Sequence, residues 1–263
     1  MSYETIELEM RGAIAWVTLN RPKSFNALNL TMAKELCDLS IRLGEDKAVR
    51  CVVFTGKGDA AYCAGGDVPS FAADIENLPA LLKEMTTYLH MAISRFAWMR
   101  APVIAAVNGV AAGAGLSMVA CTDLAIAVEG ASFTSAYTKI GLSPDGSSTY
   151  YLPRIIGTRR AAELYMTNRV LNAQEALEWG LINKIVPAED LVAEAEKLAN
   201  QLADSATEAM GAVKEMLLLS STDSLESQME RETRNISRLG GTADGREGID
   251  AFVNKRKPTF TGN

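Results

Sequence analysis

APVIAAVNGVAAGAGLSMVACTDLAIAV, residues 101–128, reads as a single structural unit. Pro102 stops any helix that precedes it. Val103 to Val107 is an unbroken apolar run, as expected of a strand covered on both faces. Asn108-Gly109 turns the chain. The Gly113-Ala114-Gly115 cluster leads into a short apolar helix ending near Cys121, and Leu124 to Val128 forms another strand. Strand, glycine loop, helix and strand in that order are βαβ organisation, which calls for a mainly parallel sheet.

The same order occurs once upstream. Cys51-Val52-Val53-Phe54-Thr55 is an apolar run bounded by glycine, followed by a loop rich in Gly and Ala and a helical stretch from about Leu78 to Met99. Nearer the start, Ile6, Leu8 and Met10 alternate with Glu7 and Glu9, a half-buried strand. Arg11-Gly12 turns that strand into a second one, Ala13 to Leu19. Asn29 can cap a helix from about Leu30 to Gly44, whose Met32, Leu36, Leu39 and Leu43 share one face. From Ala188 onward the pattern is helical only, with Leu191, Ala195, Leu198 and Leu202 on one stripe. Residues 1–188 are therefore expected to form the core and residues 189–263 a helical region, with no low-complexity linker between them.

Composition narrows the function. The chain has 263 residues, 48% hydrophobic and 22% charged, enough to bury a large core. No run of about 18 apolar residues suggests a membrane span. Met1 to Met10 carries glutamates where a signal peptide would carry basic residues, which points to the cytoplasm. The net charge of −6 argues against a nucleic-acid surface. Arg159-Arg160 and Lys255-Arg256-Lys257 read as solvated surface. Cys37, Cys51, Cys63 and Cys121 show no CxxC spacing and lack a histidine cluster, so scattered buried thiols are expected and a metal site is not.

The sequence lacks a GxxxxGK[ST] phosphate loop, a GxSxG elbow and an HExxH helix. Gly56-Lys57-Gly58-Asp59-Ala60-Ala61 follows a strand and matches GxGxxA, but no helix opens there, so a dinucleotide site is not expected. Two other glycine loops each follow the C-terminal end of a parallel strand, the usual place for a site in an open α/β sheet. They are Ala64-Gly65-Gly66-Asp67 and Gly109 to Gly115. Small residues there allow either close approach of a ligand to the backbone or tight packing of loop on helix, and spacing alone leaves both open.

Jointly, several stretches resemble the enoyl-CoA hydratase/isomerase (crotonase) superfamily. They are Ala61-Tyr62-Cys63-Ala64-Gly65-Gly66-Asp67, Ala101 to Gly109, Asn20-Arg21-Pro22, Asn26-Ala27-Leu28 and Ala251 to Lys257, in the right order across essentially the whole chain. The resemblance implies an α/β fold, a crotonase-like spiral of ββα turns with a C-terminal helical region, assembled as a homotrimer or dimer of trimers. It implies an acyl-CoA thioester substrate, with coenzyme A arriving as part of it and no separate cofactor or metal. The N–H groups of Gly66 and Ala114 would form an oxyanion hole for the thioester enolate. Both being main-chain groups, the side chains around them are free to vary. Coenzyme A would lie along Lys23, Ser24 and Phe25, near the Ala64 carbonyl, with Asp67 and Tyr137 in the substrate-binding set and Phe252 and Lys255 completing the nucleotide site from this or a neighbouring subunit.

Hydratases of this family use two glutamates. Alignment places Ser117 and Tyr137 at those positions, and neither is an acid or base near neutral pH. A carboxylate follows in Pro144-Asp145-Gly146, which by itself reads as a β-turn. Isomerases related to phenylacetate degradation carry a similar Pro-Asp, and there the aspartate shuttles a proton or opens a ring epoxide. Asp145 is accordingly the expected general acid/base. The alternative is chemistry like that of 4-chlorobenzoyl-CoA dehalogenase, in which an aspartate at this turn attacks the aromatic ring with help from a histidine and a tryptophan. Here the tryptophan position holds Tyr137. The single histidine, His90, lies among Met85, Leu89 and Ile93 in an amphipathic stretch, which predicts a buried structural residue. A passive acyl-CoA binder and an RNA-binding member of the fold are the remaining classes, the latter disfavoured by charge.

Overall fold

The computed structural model describes residues 3–263. Met1 and Ser2, the first residues of the acidic N-terminal stretch, lie outside them. The chain opens with the expected hairpin, β1 (Ile6–Arg11) and β2 (Ile14–Leu19), paired antiparallel. Helix α1 (Leu30–Glu45) follows. The Asn29 side chain accepts a hydrogen bond from the Met32 N–H at 2.9 Å, satisfying a donor that the first turn would leave orphaned. Its Met32, Leu36, Leu39 and Leu43 are all buried.

The next three turns repeat one plan. Strand β3 (Cys51–Gly56) is followed by the short strand β4 (Ala61–Cys63) and helices α2 (Val68–Ala72) and α3 (Leu78–Trp98). Strand β5 (Val103–Val107) is followed by β6 (Val110–Ala112) and α4 (Ala114–Ala120). Strand β7 (Leu124–Val128) is followed by β8 (Ser132–Thr134) and α5 (Ser148–Ile156). The long strands enter a six-stranded sheet of order β1-β2-β3-β5-β7, closed by β10 (Lys184–Val186). The short strands form a second sheet, β4-β6-β8, edged by β9 (Val170–Asn172). Between these last strands lie α6 (Thr158–Thr167) and α7 (Ala173–Glu178). Every pair from β2 to β10 in the large sheet is parallel, so successive turns advance in one direction as a spiral.

Apolar composition explains why the long strands lie inside. Every residue of β5 is buried, as are Cys51 to Phe54 of β3. Where the GxGxxA match stands, the structure has the end of β3 and a tight loop rather than a helix. The Asn108 side chain bonds Gly56 N–H and O, both at 3.0 Å, and the buried Asn26 side chain donates to the Ala61 carbonyl at 2.8 Å.

The chain ends in helices α8 (Leu191–Ala203), α9 (Thr207–Leu219), α10 (Leu225–Gly240) and α11 (Ala243–Val253). Helix α8 lies against β2, β3, β5 and β7 with Ala195 and Ala199 fully buried. No helix among the described residues is long and apolar enough to cross a membrane.

Candidate active site

The short sheet places the site. Strands β4 and β6 pair in parallel, aligning Cys63 with Ala111, so the chain leaves both strands on the same side. After β4 it runs through Gly65-Gly66, and after β6 through Gly113 into α4. The approach is close enough that a Cβ on Gly115 would sit 2.1 Å from the Cys63 carbonyl oxygen, a position open only to glycine. Gly66 and Ala114 consequently line one cavity of about 350 Å³. Among the described residues neither of their N–H groups has an acceptor. A free backbone donor beside a cavity is the kind of group that can receive an oxygen on which charge develops.

The opposite wall is built by α3, through Leu82 and Met85, and by the segment after β8, through Tyr137, Leu142 and Asp145. Asp145 thus shares the cavity with both backbone donors. Its Oδ1 lies 2.7 Å from His90 Nε2. The expectation of a buried structural histidine is incorrect: the His90 side chain is 53% exposed and its ring meets a carboxylate. Met85, Leu89 and Ile93 are buried as their spacing predicts. His90 is one residue past Leu89, about 100° round the helix from that stripe, and so faces Asp145.

Ser117 and Tyr137, where the resemblance implies the glutamates of hydratases, also reach this turn. Ser117 Oγ lies 2.8 Å from the Asp145 carbonyl oxygen and 3.2 Å from the Tyr137 hydroxyl. The Tyr137 hydroxyl is 3.3 Å from the same carbonyl. Burial pushes the Tyr137 phenol well above its usual range, so it stays protonated at any physiological pH.

On the coenzyme side the structure joins some expected residues and separates others. Lys23 and Ser24 lie in a single 3₁₀ turn, Pro22–Ser24, and Phe25 follows in a left-handed conformation with its ring exposed. The Phe25 carbonyl accepts from the Ala64 N–H at 3.0 Å, which sets this loop beside the cavity rim. Asp67 is not presented to the cavity. Its Oδ2 receives Arg21 Nη2 at 2.7 Å, its Oδ1 caps α2 through Ser70 N–H, and it is buried. A carboxylate spent on an ion pair and a cap is structural, and it ties the coenzyme loop to the Gly66 loop. Phe252 and Lys255, at the end of α11, are exposed and do not line this cavity within one chain.

A larger cavity, about 510 Å³, lies beyond the far end of α4 and contains none of the expected residues. Its Lys214 ammonium is held by Asp123 Oδ2 and the carbonyls of Phe96 and Ala101, so its donors are already used. Among the described residues no group of three His, Cys, Asp or Glu is placed to hold a metal ion.

This arrangement of loops recurs in known proteins. A sequence profile of the enoyl-CoA hydratase/isomerase family matches residues 9–263. The chain belongs to the enoyl-CoA hydratase/isomerase family. Among its relatives, the 1,2-epoxyphenylacetyl-CoA isomerase of Escherichia coli strain K12 is 37% identical over 261 residues, spanning 98% of this chain and 99% of the relative. The 4-chlorobenzoyl coenzyme A dehalogenase-2 of an Arthrobacter species is 34% identical, spanning 95% of this chain and 91% of the relative. The crystal structure of an enoyl-CoA hydratase from Polaromonas sp. JS666 superimposes with a TM-score of 0.92 at 33% identity, covering 97% of this chain and 99% of that one. Membership of the enoyl-CoA hydratase/isomerase family makes the chain an acyl-CoA enzyme, and three reaction types occur among relatives of similar distance.

Proposed function

We propose that this enzyme binds an acyl-CoA thioester with its carbonyl oxygen between the Gly66 and Ala114 N–H groups and isomerises the acyl part, shifting a double bond or opening a ring epoxide. The observation that carries this reading is the meeting of two unpartnered backbone donors and one carboxylate, Asp145, in a single cavity. Removing a proton beside the thioester puts negative charge on its oxygen. Fixed donors meet that charge without reorganising, and one such donor is typically worth about 3–4 kcal/mol in the transition state. Asp145 takes the proton and returns it elsewhere along the chain. Simple hydration is disfavoured because Ser117 and Tyr137 replace the glutamates that would activate water. Coenzyme A enters as part of the substrate, along Lys23 to Phe25 and Ala64. The chain assembles as a homotrimer or dimer of trimers, with Phe252 and Lys255 reaching a neighbour's nucleotide.

The test is Asp145→Asn. Turnover of an enoyl-CoA, and exchange of its α-proton with solvent deuterium, should fall by about 10²–10⁴ while acyl-CoA affinity stays within a few-fold. Wild-type turnover in that variant removes Asp145 from the mechanism, and a wild-type chain that binds thioesters without exchange is a passive binder.

A second reading rests on the His90–Asp145 contact. In dehalogenase-like hydrolysis the carboxylate adds to the ring carbon bearing chlorine, and chloride leaves with the bonding pair. Water then cleaves the aryl ester, its proton going to His90. With 4-chlorobenzoyl-CoA, His90→Gln should then trap an ester on Asp145, detected as added mass on the intact protein. Turnover of enoyl- or ring-epoxide thioesters with no such adduct favours isomerisation.

A further inference from the structure

The side chains at the two glutamate positions converge on one atom, the carbonyl oxygen of Asp145. Ser117 Oγ approaches it at 2.8 Å, Ser148 Oγ at 3.0 Å and the Tyr137 hydroxyl at 3.3 Å. A carbonyl oxygen offers two lone pairs, and each hydroxyl has one proton to donate. The Ser117 and Ser148 hydroxyls make the two shortest contacts, and the Ser148 N–H adds one at 3.4 Å. Ser117 Oγ also lies 3.2 Å from the Gly113 carbonyl, but its shorter contact is to Asp145; with that proton used there, the Tyr137 hydroxyl donates to Ser117 Oγ at 3.2 Å. The chain of donation runs Tyr137 to Ser117 to Asp145 O, joining the segment after β8, helix α4 and the turn before α5.

The backbone is shaped to permit this. Gly146 has a φ of +62°, and a Cβ there would lie 2.9 Å from Ser117 Cβ. The turn that carries Asp145 therefore rests directly on Ser117, one helical turn past Ala114. Ser117 is fully buried, as is the Ser148 side chain on the other side of the carbonyl.

We infer that Ser117 and Tyr137 are positioning residues that fix the Asp145 carboxylate relative to the Ala114 N–H, so that positions occupied by acid/base glutamates in hydratases here anchor a replacement acid/base. The inference rests on the role proposed above for Asp145 and adds what holds it. Ser117 links the helix that begins with one oxyanion donor to the turn that supplies the proton carrier. Its hydroxyl sets their separation without touching substrate. Tyr137 orients the Ser117 proton towards the turn, and its half-buried, persistently protonated phenol suits a donor.

The experiment is a double-mutant cycle with Ser117→Ala and Tyr137→Phe. It is read as kcat and KM for α-proton exchange, with rates normalised to the number of acyl-CoA binding sites so that misfolded protein does not count. Ser117→Ala should lower kcat about tenfold, the scale of a small misplacement of a reacting group, with KM within about twofold. Tyr137→Phe should act in the same direction, and the double variant should lose less than the product of the singles because both act on one carbonyl. Ser148→Ala removes a hydroxyl from the same carbonyl but from within the turn's own helix, and should cost less than Ser117→Ala. Normal kcat in Ser117→Ala, equal losses in Ser117→Ala and Ser148→Ala, or losses that multiply in the double variant would each overturn the proposal. Asp145→Asn is run alongside. If it retains turnover, the acid/base assignment itself has failed; if it is inactive while Ser117→Ala is normal, only the anchoring has failed.

Discussion

The spiral and the last two helices are stabilised in different ways. In the spiral, β5 is wholly buried and Ile14, Leu19, Leu36 and Ile104 are among its fully enclosed side chains. Helix α10 buries only Asn235 across its length, leaving Leu225, Met229 and Ile236 exposed. Helix α11 likewise exposes Ile249, Phe252 and Val253. Polar clamps do much of the holding there. Arg50 donates to the carbonyls of Ser205 and Phe260, and buried Asp244 accepts from Thr261 and Gly262 N–H at 2.7 and 2.8 Å. Apolar burial organises the part that carries the cavity. Charge-assisted hydrogen bonds fasten a part whose apolar faces remain open to another surface.

That contrast can be broken in graded steps. Ile104→Asp places a carboxylate inside the sheet, costing several kcal/mol, and should leave no soluble folded protein by yield and far-UV circular dichroism. Asp244→Ala should cost about 1–3 kcal/mol, chiefly through the Gly262 N–H left unpaired in the interior, since Thr261 is exposed and can turn to water. Urea unfolding measures the loss, and limited proteolysis should release the C-terminal residues while α-proton exchange persists. Exchange that disappears with the clamp would mean the two regions are not separable. Phe252→Ser or Ile236→Ser should change the stability of a single chain by no more than about 0.5 kcal/mol yet, on the proposed trimeric assembly, shift the sedimenting species to lower mass. An unchanged mass would show that these faces carry no subunit contact. The mildest test is thiol labelling. Burial pushes Cys63 up to about 11 and Cys51 up to about 12, and both thiols are buried, so at pH 8 they should react only on unfolding. They should stay equally unreactive in Asp244→Ala, since both sit in the spiral.

How much of this the sequence discloses depends on whether the determining contacts are local. Strands β3, β5 and β7 are plain because each is an apolar run bounded by turn residues, and α1 because its cap and stripe are contiguous. Strands β4, β6 and β8 have three residues each, too few to show a period, and read as glycine loops until neighbouring turns pair with them. The site divides in the same way. Gly66, Ala114 and Asp145 follow from motifs, and the structure brings them to one cavity. The His90 contact spans 55 positions, and the amphipathic pattern reports only which side of α3 faces the core. Asp67 sits in a motif whose glycines face the cavity, but its own partner, Arg21, is 46 positions away. The anchoring by Ser117 depends on Gly146 adopting a left-handed conformation, which Pro-Asp-Gly suggests but cannot aim.

The Arg21–Asp67 pair has a consequence for how this enzyme would sense the handle of its substrate. It bolts the loop proposed to receive the nucleotide onto the loop that presents Gly66, so neither can shift alone. On the proposed binding mode, grip on the distant adenine end would be transmitted as alignment at the carbonyl. A thioester cut short at pantetheine would forfeit speed as well as affinity.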